Sequence, residues 1–111
     1  MSTIFGKIIR GELPAKRVFE NDRLLVIEDL YPVAPVHLLL IPKAEIPDLQ
    51  SLASKDLSLM GEIVAVAQQM AIQYGVQDGY RLLTNNGSSA GQTIFHLHFH
   101  LIGGRALGAM G

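Results

Sequence analysis

Between Phe95 and Leu101 apolar residues alternate strictly with histidines, and a period of two in that β-branched and aromatic setting specifies a strand. Successive side chains of a strand point to opposite faces, so Phe95, Leu97, Phe99 and Leu101 are expected in a core and His96, His98 and His100 together on the other face. A strand with one buried face needs partners, and the chain supplies them. Residues 17–20 and 24–28 read as two short strands joined by Asn21-Asp22-Arg23, residues 36–41 as a third running from Pro35 to Pro42, and residues 80–85 as a fourth before the histidine strand at 95–102.

Two helices complete the pattern. Ser2 or Thr3 can cap a short one through Arg10, with Gly11 placed to stop it. The long one spans residues 55–74, with Ser54 as its cap, Asp56 at its positive end and Gly75 as a left-handed stop. The sum is an α+β domain over residues 1–111: a five-stranded antiparallel sheet, one long helix and a short N-terminal helix. On a helical wheel Leu57, Leu59, Met60, Ile63, Val64, Val66, Ala67, Met70 and Ala71 fill roughly half the circumference, more than the ~100° stripe that covers a sheet. A second buried side follows, supplied either by a homodimer contact or by residues 106–111 folding back over the surplus.

With 111 residues, a formal net charge of −1 and nearly half its residues apolar, the chain reads as a soluble globular protein. It has no basic excess, so neither a nucleic-acid backbone nor an anionic membrane is an expected partner. Cysteine is absent, which removes disulfides, thiolate metal sites and cysteine nucleophiles. No apolar run is long enough to span a membrane and no secretory signal opens the chain, so a cytoplasmic location is expected.

The histidine row has three readings on spacing alone: polar residues of a wet sheet face, metal ligands, or a catalytic histidine with two that orient it. A linear row at i, i+2, i+4 suits a metal poorly, because ligands must converge. The small and polar residues 85–93 before it form a loop whose backbone N–H groups can cradle a phosphate, although a plain connection looks the same. His37, alone on its strand, is by default a satisfied structural histidine. Asp29 by default is a turn residue that accepts from neighbouring N–H groups.

The run His96-x-His98-x-His100 followed by Gly103-Gly104-Arg105, with Asn85, Gly91-Gln92 and Thr93 before it, resembles the histidine triad superfamily and in particular its nucleotide-binding HINT branch. Residues 3–10, Pro14-Ala15, Asp29, Ala34-Pro35-x-His37 and Ile41-Pro42-Lys43 match in order and spacing as well. The resemblance implies that His98 attacks the α-phosphate of a nucleotide, that a carbonyl assigned to His100 holds its Nδ1 proton, and that His96 and His100 bond phosphate oxygens. It places His37 behind the triad as part of a relay and lets Thr93 pass a proton to the leaving amine. Nucleotide contacts fall to Asp29 on the ribose hydroxyls, to Asn85, Gly91, Gln92 and Ile94 around the phosphate, and to Ile4, Phe5, Ile8, Ile27 and Leu30 around a purine. Some relatives bind zinc through cysteines where Thr3 and Gly6 stand, which this chain cannot do. The implied activity is that of a purine nucleoside phosphoramidase, a homodimeric hydrolase of adenosine or guanosine 5′-phosphoramidates that needs no metal or other cofactor. The alternatives are a dinucleoside polyphosphate hydrolase and a nucleotide-binding regulatory module.

Overall fold

The computed structural model describes residues 3–110. Five antiparallel strands form one sheet: β1 (Arg17–Glu20), β2 (Leu24–Glu28), β3 (Val36–Pro42), β4 (Tyr80–Leu83) and β5 (Phe99–Gly103), in the order β1-β2-β3-β5-β4. Helix α1 (Ile4–Ile9) precedes the sheet and helix α2 (Leu57–Gln73) links β3 to β4. The expected class and element order hold. β1 and β2 keep their expected bounds because Asn21 Oδ1 accepts from the amides of Arg23 and Leu24, which closes the turn between them.

The central strands are buried on both faces. On one side Leu24, Val26, Leu38, Leu40 and Leu101 pack against Leu59, Ile63, Val66 and Met70 of α2. On the other, Leu25, Ile27, Leu39 and Ile41 pack against Phe5 and Ile8 of α1. This explains the unbroken apolar runs of β2 and β3: alternate residues serve different helices. His37 shares the α1 face with Leu39, and His100, paired with Leu39 across β3 and β5, joins it there.

Three boundaries differ from expectation by two residues or more. α2 starts at Leu57, because residues 54–56 form a single 3-10 turn in which Asp56 accepts from the Ala53 amide, so Ser54 is no cap. β4 stops at Leu83 rather than residue 85. β5 begins only at Phe99, and residues 95–98 stand outside the sheet, since β3 pairs no further than Leu40 with Phe99 and β4 no further than Leu83 with His100. Phe95, expected in the core, is 49% exposed for the same reason, whereas Leu97 is buried.

Thr3 does cap α1, its Oγ1 accepting from Gly6 N at 3.1 Å; Ser2 lies outside the described residues. Gly75 ends α2 with φ +72°, the left-handed stop expected of it. On α2 the wide apolar arc splits. Leu59, Ile63, Val66, Ala67, Met70 and Ala71 are buried, while Leu57, Val64 and the neighbouring Ile72 remain exposed. The described residues of the C-terminal segment do not cover them. It is held elsewhere, Arg81 Nη2 donating to the carbonyl of Gly108. No helix among the described residues is long and apolar enough to cross a membrane.

Candidate active site

A cavity of about 370 Å³ opens on the α1 face of the sheet, a size suited to a small-molecule ligand. Its apolar wall is made by α1 and the inner strands: Ile4, Phe5, Ile8, Ile27 and Leu39, with Leu30 and Tyr31 at the mouth. Its polar end is made by Asp29, Asn85, Thr93, His98 and His100, with Gly91 and Ile94 beside them. Leu39 and Tyr31 were not among the sequence candidates. The signal for Leu39 was its place two residues after His37 on one strand face; for Tyr31 there was only an aromatic beside Asp29.

The three histidines of the row do not share a face in the expected way. His96 is 3% exposed and both its ring nitrogens are engaged by the protein: Nε2 donates to the Pro42 carbonyl at 2.7 Å and Nδ1 accepts from the Thr3 hydroxyl at 3.4 Å. Neither nitrogen is free for the phosphate contact expected of it, and the ring sits outside the cavity wall. Instead its backbone serves the site. The Leu97 amide donates to Ile46 O at 2.7 Å, and the carbonyl of the same planar peptide group, that of His96, accepts from His98 Nδ1 at 2.7 Å. The partner of His98 Nδ1 is thus His96 O and not the carbonyl of His100. With Nδ1 carrying the proton, Nε2 of His98 keeps its lone pair. Phe5 lies edge-on to the His98 ring, centroids 4.8 Å apart, and Thr84, which the sequence did not single out, donates its hydroxyl to His98 O at 2.7 Å.

His37 joins the site as expected, through a chain of three bonds. The Val33 amide donates to His37 Nδ1 at 3.1 Å, so the ring proton sits on Nε2. That Nε2 lies 2.9 Å from His100 Nδ1 and 3.3 Å from Asp29 Oδ2. His100 Nδ1 accepts, and its proton is on Nε2. Asp29 meanwhile accepts from the Tyr31 amide at 2.8 Å, which makes it the turn residue of the default reading and a partner of His37 as well. Asp29, His37 and His100 bring one donor atom each within 4.8 Å of one another, the one such trio among the described residues, and hydrogen bonds already join them.

Burial sets the charge of these rings. It lowers the pKa of His98, with the His96 carbonyl opposing, and lowers that of His37, with Asp29 opposing. His100 is pushed down to about 4, first by burial and then by the neighbouring His98 and His37. All three are neutral at neutral pH, the form in which the tautomers above apply.

The loop before the row is built by Gln92. Its side chain is 4% exposed and accepts from Gly87 N at 2.8 Å while donating to Pro47 O and Ile94 O at 2.9 and 3.1 Å. Expected as a nucleotide contact, Gln92 faces away from the cavity because every polar atom of its amide is taken by backbone. The amides of Gly91 and Gln92 are likewise bonded to Ser88 O and Gly87 O, so Gly91 meets the cavity without a free donor. Those of Thr93 and Ile94 make no hydrogen bond within the described residues.

The HIT domain model matches residues 10–107. The chain belongs to the HIT family. A HIT-like protein of Chlamydia pneumoniae is 47% identical over 108 residues, covering 97% of this chain and 98% of that protein. Among solved structures, a HIT family hydrolase from Legionella pneumophila has a TM-score of 0.92 at 40% identity, covering 95% of each chain. A histidine triad nucleotide-binding protein from Candida albicans has a TM-score of 0.82 at 31% identity, covering 99% of this chain and 85% of that one. These matches cover nearly the whole of this chain.

Proposed function

We propose that this HIT protein is a purine nucleoside phosphoramidase that cleaves the P–N bond of adenosine or guanosine 5′-phosphoramidates through a nucleotidyl-histidine intermediate. The observation that carries the reading is the pair of opposite tautomers at the polar end of the cavity: His98 offers a lone pair on Nε2 while His100 offers a proton on Nε2. A nucleophile beside a hydrogen-bond donor is what attack on a phosphate needs.

In the first step His98 Nε2 bonds to the α-phosphorus and the P–N bond breaks with its electron pair going to nitrogen. The leaving amine takes a proton from the Thr93 hydroxyl, because a departing nitrogen must be protonated. His98 becomes an imidazolium whose Nδ1–H keeps its hydrogen bond to the His96 carbonyl. His100 Nε2 and the amides of Thr93 and Ile94 stabilise charge on the phosphate oxygens. In the second step water attacks phosphorus, the P–Nε2 bond breaks, Thr93 regains its proton from that water and nucleoside monophosphate leaves. No metal or other cofactor enters the scheme. The lowered pKa of His98 supports it, since the nucleophile stays unprotonated to below the ordinary imidazole range. Asp29 suits the ribose diol, with two acceptor oxygens for two hydroxyls, and the apolar wall of Ile4, Phe5, Ile8, Ile27 and Leu39 suits a purine. That the Candida albicans relative is a nucleotide-binding protein agrees with this substrate class. The exposed Leu57, Val64 and Ile72 of α2 and the open edge of β4 support a homodimer, for which light scattering should return about twice the chain mass.

The test is a steady-state comparison of an adenosine phosphoramidate, a diadenosine polyphosphate and His98→Ala. Turnover of the phosphoramidate that His98→Ala abolishes while monophosphate still binds is the expected result. Faster cleavage of the polyphosphate would move the protein to a dinucleoside polyphosphate hydrolase, and binding without turnover of either to a regulatory module.

A further inference from the structure

Gly103, Gly104 and Arg105 close the histidine stretch in the sequence, and the scheme above leaves the arginine without a task. Arg105 is exposed, yet its Nε donates to the carbonyl of Val33 at 2.9 Å and its Nη1 to Ala106 O at 2.8 Å. Gly104 makes that reach possible. Its φ is +93°, and a Cβ there would stand 3.1 Å from Pro35 Cβ. Gly104 against Pro35 and Arg105 on Val33 thus tie the turn after β5 to the loop between β2 and β3.

Apart from the buried Ala34 and the Asp29 amide donating to His37 O, that loop has little else to hold it. Leu30, Tyr31 and Val33 are 83, 85 and 54% exposed, so their packing does not fix its path. Its polar contacts do: Tyr31 N on Asp29, Val33 N on His37, and Arg105 on Val33 O. Val33 is gripped on both sides, by a guanidinium at its carbonyl and by an imidazole at its amide.

We propose that Arg105 is a positioning residue for the histidine relay. By holding the Val33 carbonyl it keeps the Val33 amide on His37 Nδ1, which keeps the His37 proton on Nε2 and, one ring further, the His100 proton on Nε2. The opposite arrangement shows why this matters. With the proton of His37 on Nδ1, its Nε2 lone pair would face the Asp29 carboxylate, and His100 would have to donate from Nδ1. His100 Nε2 would then turn a lone pair toward an anionic phosphate, which repels where it should bind. The catalytic consequence rests on the proposed phosphoryl chemistry; the tautomer consequence belongs to the free protein.

The test uses Arg105→Met, which keeps the aliphatic bulk, and Arg105→Lys, which keeps the charge but not the Nε geometry. Imidazole ¹⁵N spectra of the free wild-type protein at neutral pH should report His37 and His100 protonated on Nε2, and both variants should populate the other tautomers. kcat for the phosphoramidate should fall in both by about tenfold, less than the ~10⁴ that follows loss of a direct orienting partner because Arg105 acts at one remove. KM should stay within about twofold, since the purine and ribose contacts are untouched. An unchanged ¹⁵N pattern in Arg105→Met, or a changed pattern with unchanged kcat, would overturn the inference. So would full activity of Arg105→Lys beside a loss in Arg105→Met, which would assign the residue to charge steering of the substrate. A wild-type protein inert toward phosphoramidates would defeat the functional reading alone, and the ¹⁵N comparison would still decide the role of Arg105.

Discussion

Replacing Gln92 distinguishes a residue that builds the phosphate loop from one that touches the nucleotide. Three backbone groups depend on its side chain: the Gly87 amide and the carbonyls of Pro47 and Ile94. Only one orientation of the amide satisfies them, oxygen to the N–H and nitrogen to the two carbonyls. In Gln92→Leu all three lose a partner that is itself 4% exposed. At about 1 kcal/mol for each bond, with some rescue by water at the half-buried Gly87, the loss comes to about 2–3 kcal/mol. For a chain of this size that lowers Tm by about 10 °C. Gln92→Glu should be worse at neutral pH, because it sets a carboxylate oxygen against two carbonyls. Burial raises such a carboxyl above its unfolded value, so the penalty grows as pH rises through the folded pKa and is relieved as pH falls and the group protonates. Thermal and urea melts of the two variants across pH, alongside nucleoside monophosphate titrations, are the assay. A Gln92→Leu protein as stable as wild type but with weakened nucleotide affinity would refute the reasoning and return Gln92 to the nucleotide.

Three further outcomes follow from the same geometry. Asp29→Asn keeps the acceptor for the Tyr31 amide but sets an NH₂ against His37 Nε2–H, so it should lose discrimination between ribose and deoxyribose substrates and lower kcat together; wild-type selectivity would leave Asp29 a turn residue. The folded pKa of His100, about 4, lies below its unfolded value, so its contribution to stability is complete above about pH 6.5 and lost as pH falls toward 4. Discounted for the partial exposure of the ring this is about 1–2 kcal/mol, shared with His37 and His98, which shift the same way; urea midpoints that stay flat over that range in wild type, or fall as far in His100→Gln, would contradict it. His96→Gln should keep substantial activity, because its amide can donate to Pro42 O and accept from Thr3, whereas His96→Leu should lower kcat; equal and large rises in KM in both would restore His96 as a phosphate ligand.

The sheet was legible because its inner strands carry unbroken apolar runs bounded by turn chemistry, as at Asn21, and because the apolar arc of α2 is wide and continuous. The histidine row misled at its first half. Residue types at 95–98 alternate as a strand does, but alternation records which side chains go inward and not whether a neighbouring strand reaches that far. β3 and β4 do not, and side chains finish the sheet in their place: His96 Nε2 donates to Pro42 O at the end of β3, and Thr84 Oγ1 donates to His98 O just past β4. Gln92 turns into the loop, away from the expected contact, for a related reason. A motif gives the position of a polar side chain, whereas its direction depends on which backbone groups the loop leaves without partners.

The proton positions in this site are fixed by peptide groups rather than by carboxylates. His98 is held as the Nδ1–H tautomer by the His96 carbonyl, whose peptide group is anchored through Leu97 N to Ile46; His37 is held as the Nε2–H tautomer by the Val33 amide, and His100 inherits its tautomer from His37. A carboxylate bonded to the nucleophile would raise its pKa and favour the imidazolium, which has no lone pair to give. A neutral carbonyl orients the same nitrogen at far smaller cost to nucleophilicity, and burial then lowers the pKa instead. Asp29, the one carboxylate of the cluster, stands against His37 Nε2, where that ring meets His100, so that its charge supports the chain of donors without being bonded to the His98 ring. On the proposed chemistry the same separation gives residues remote from the cavity a bearing on it: the anchors of the His98 and His37 tautomers lie in the loops at Ile46 and Val33, and the second of these is bonded in turn by Arg105.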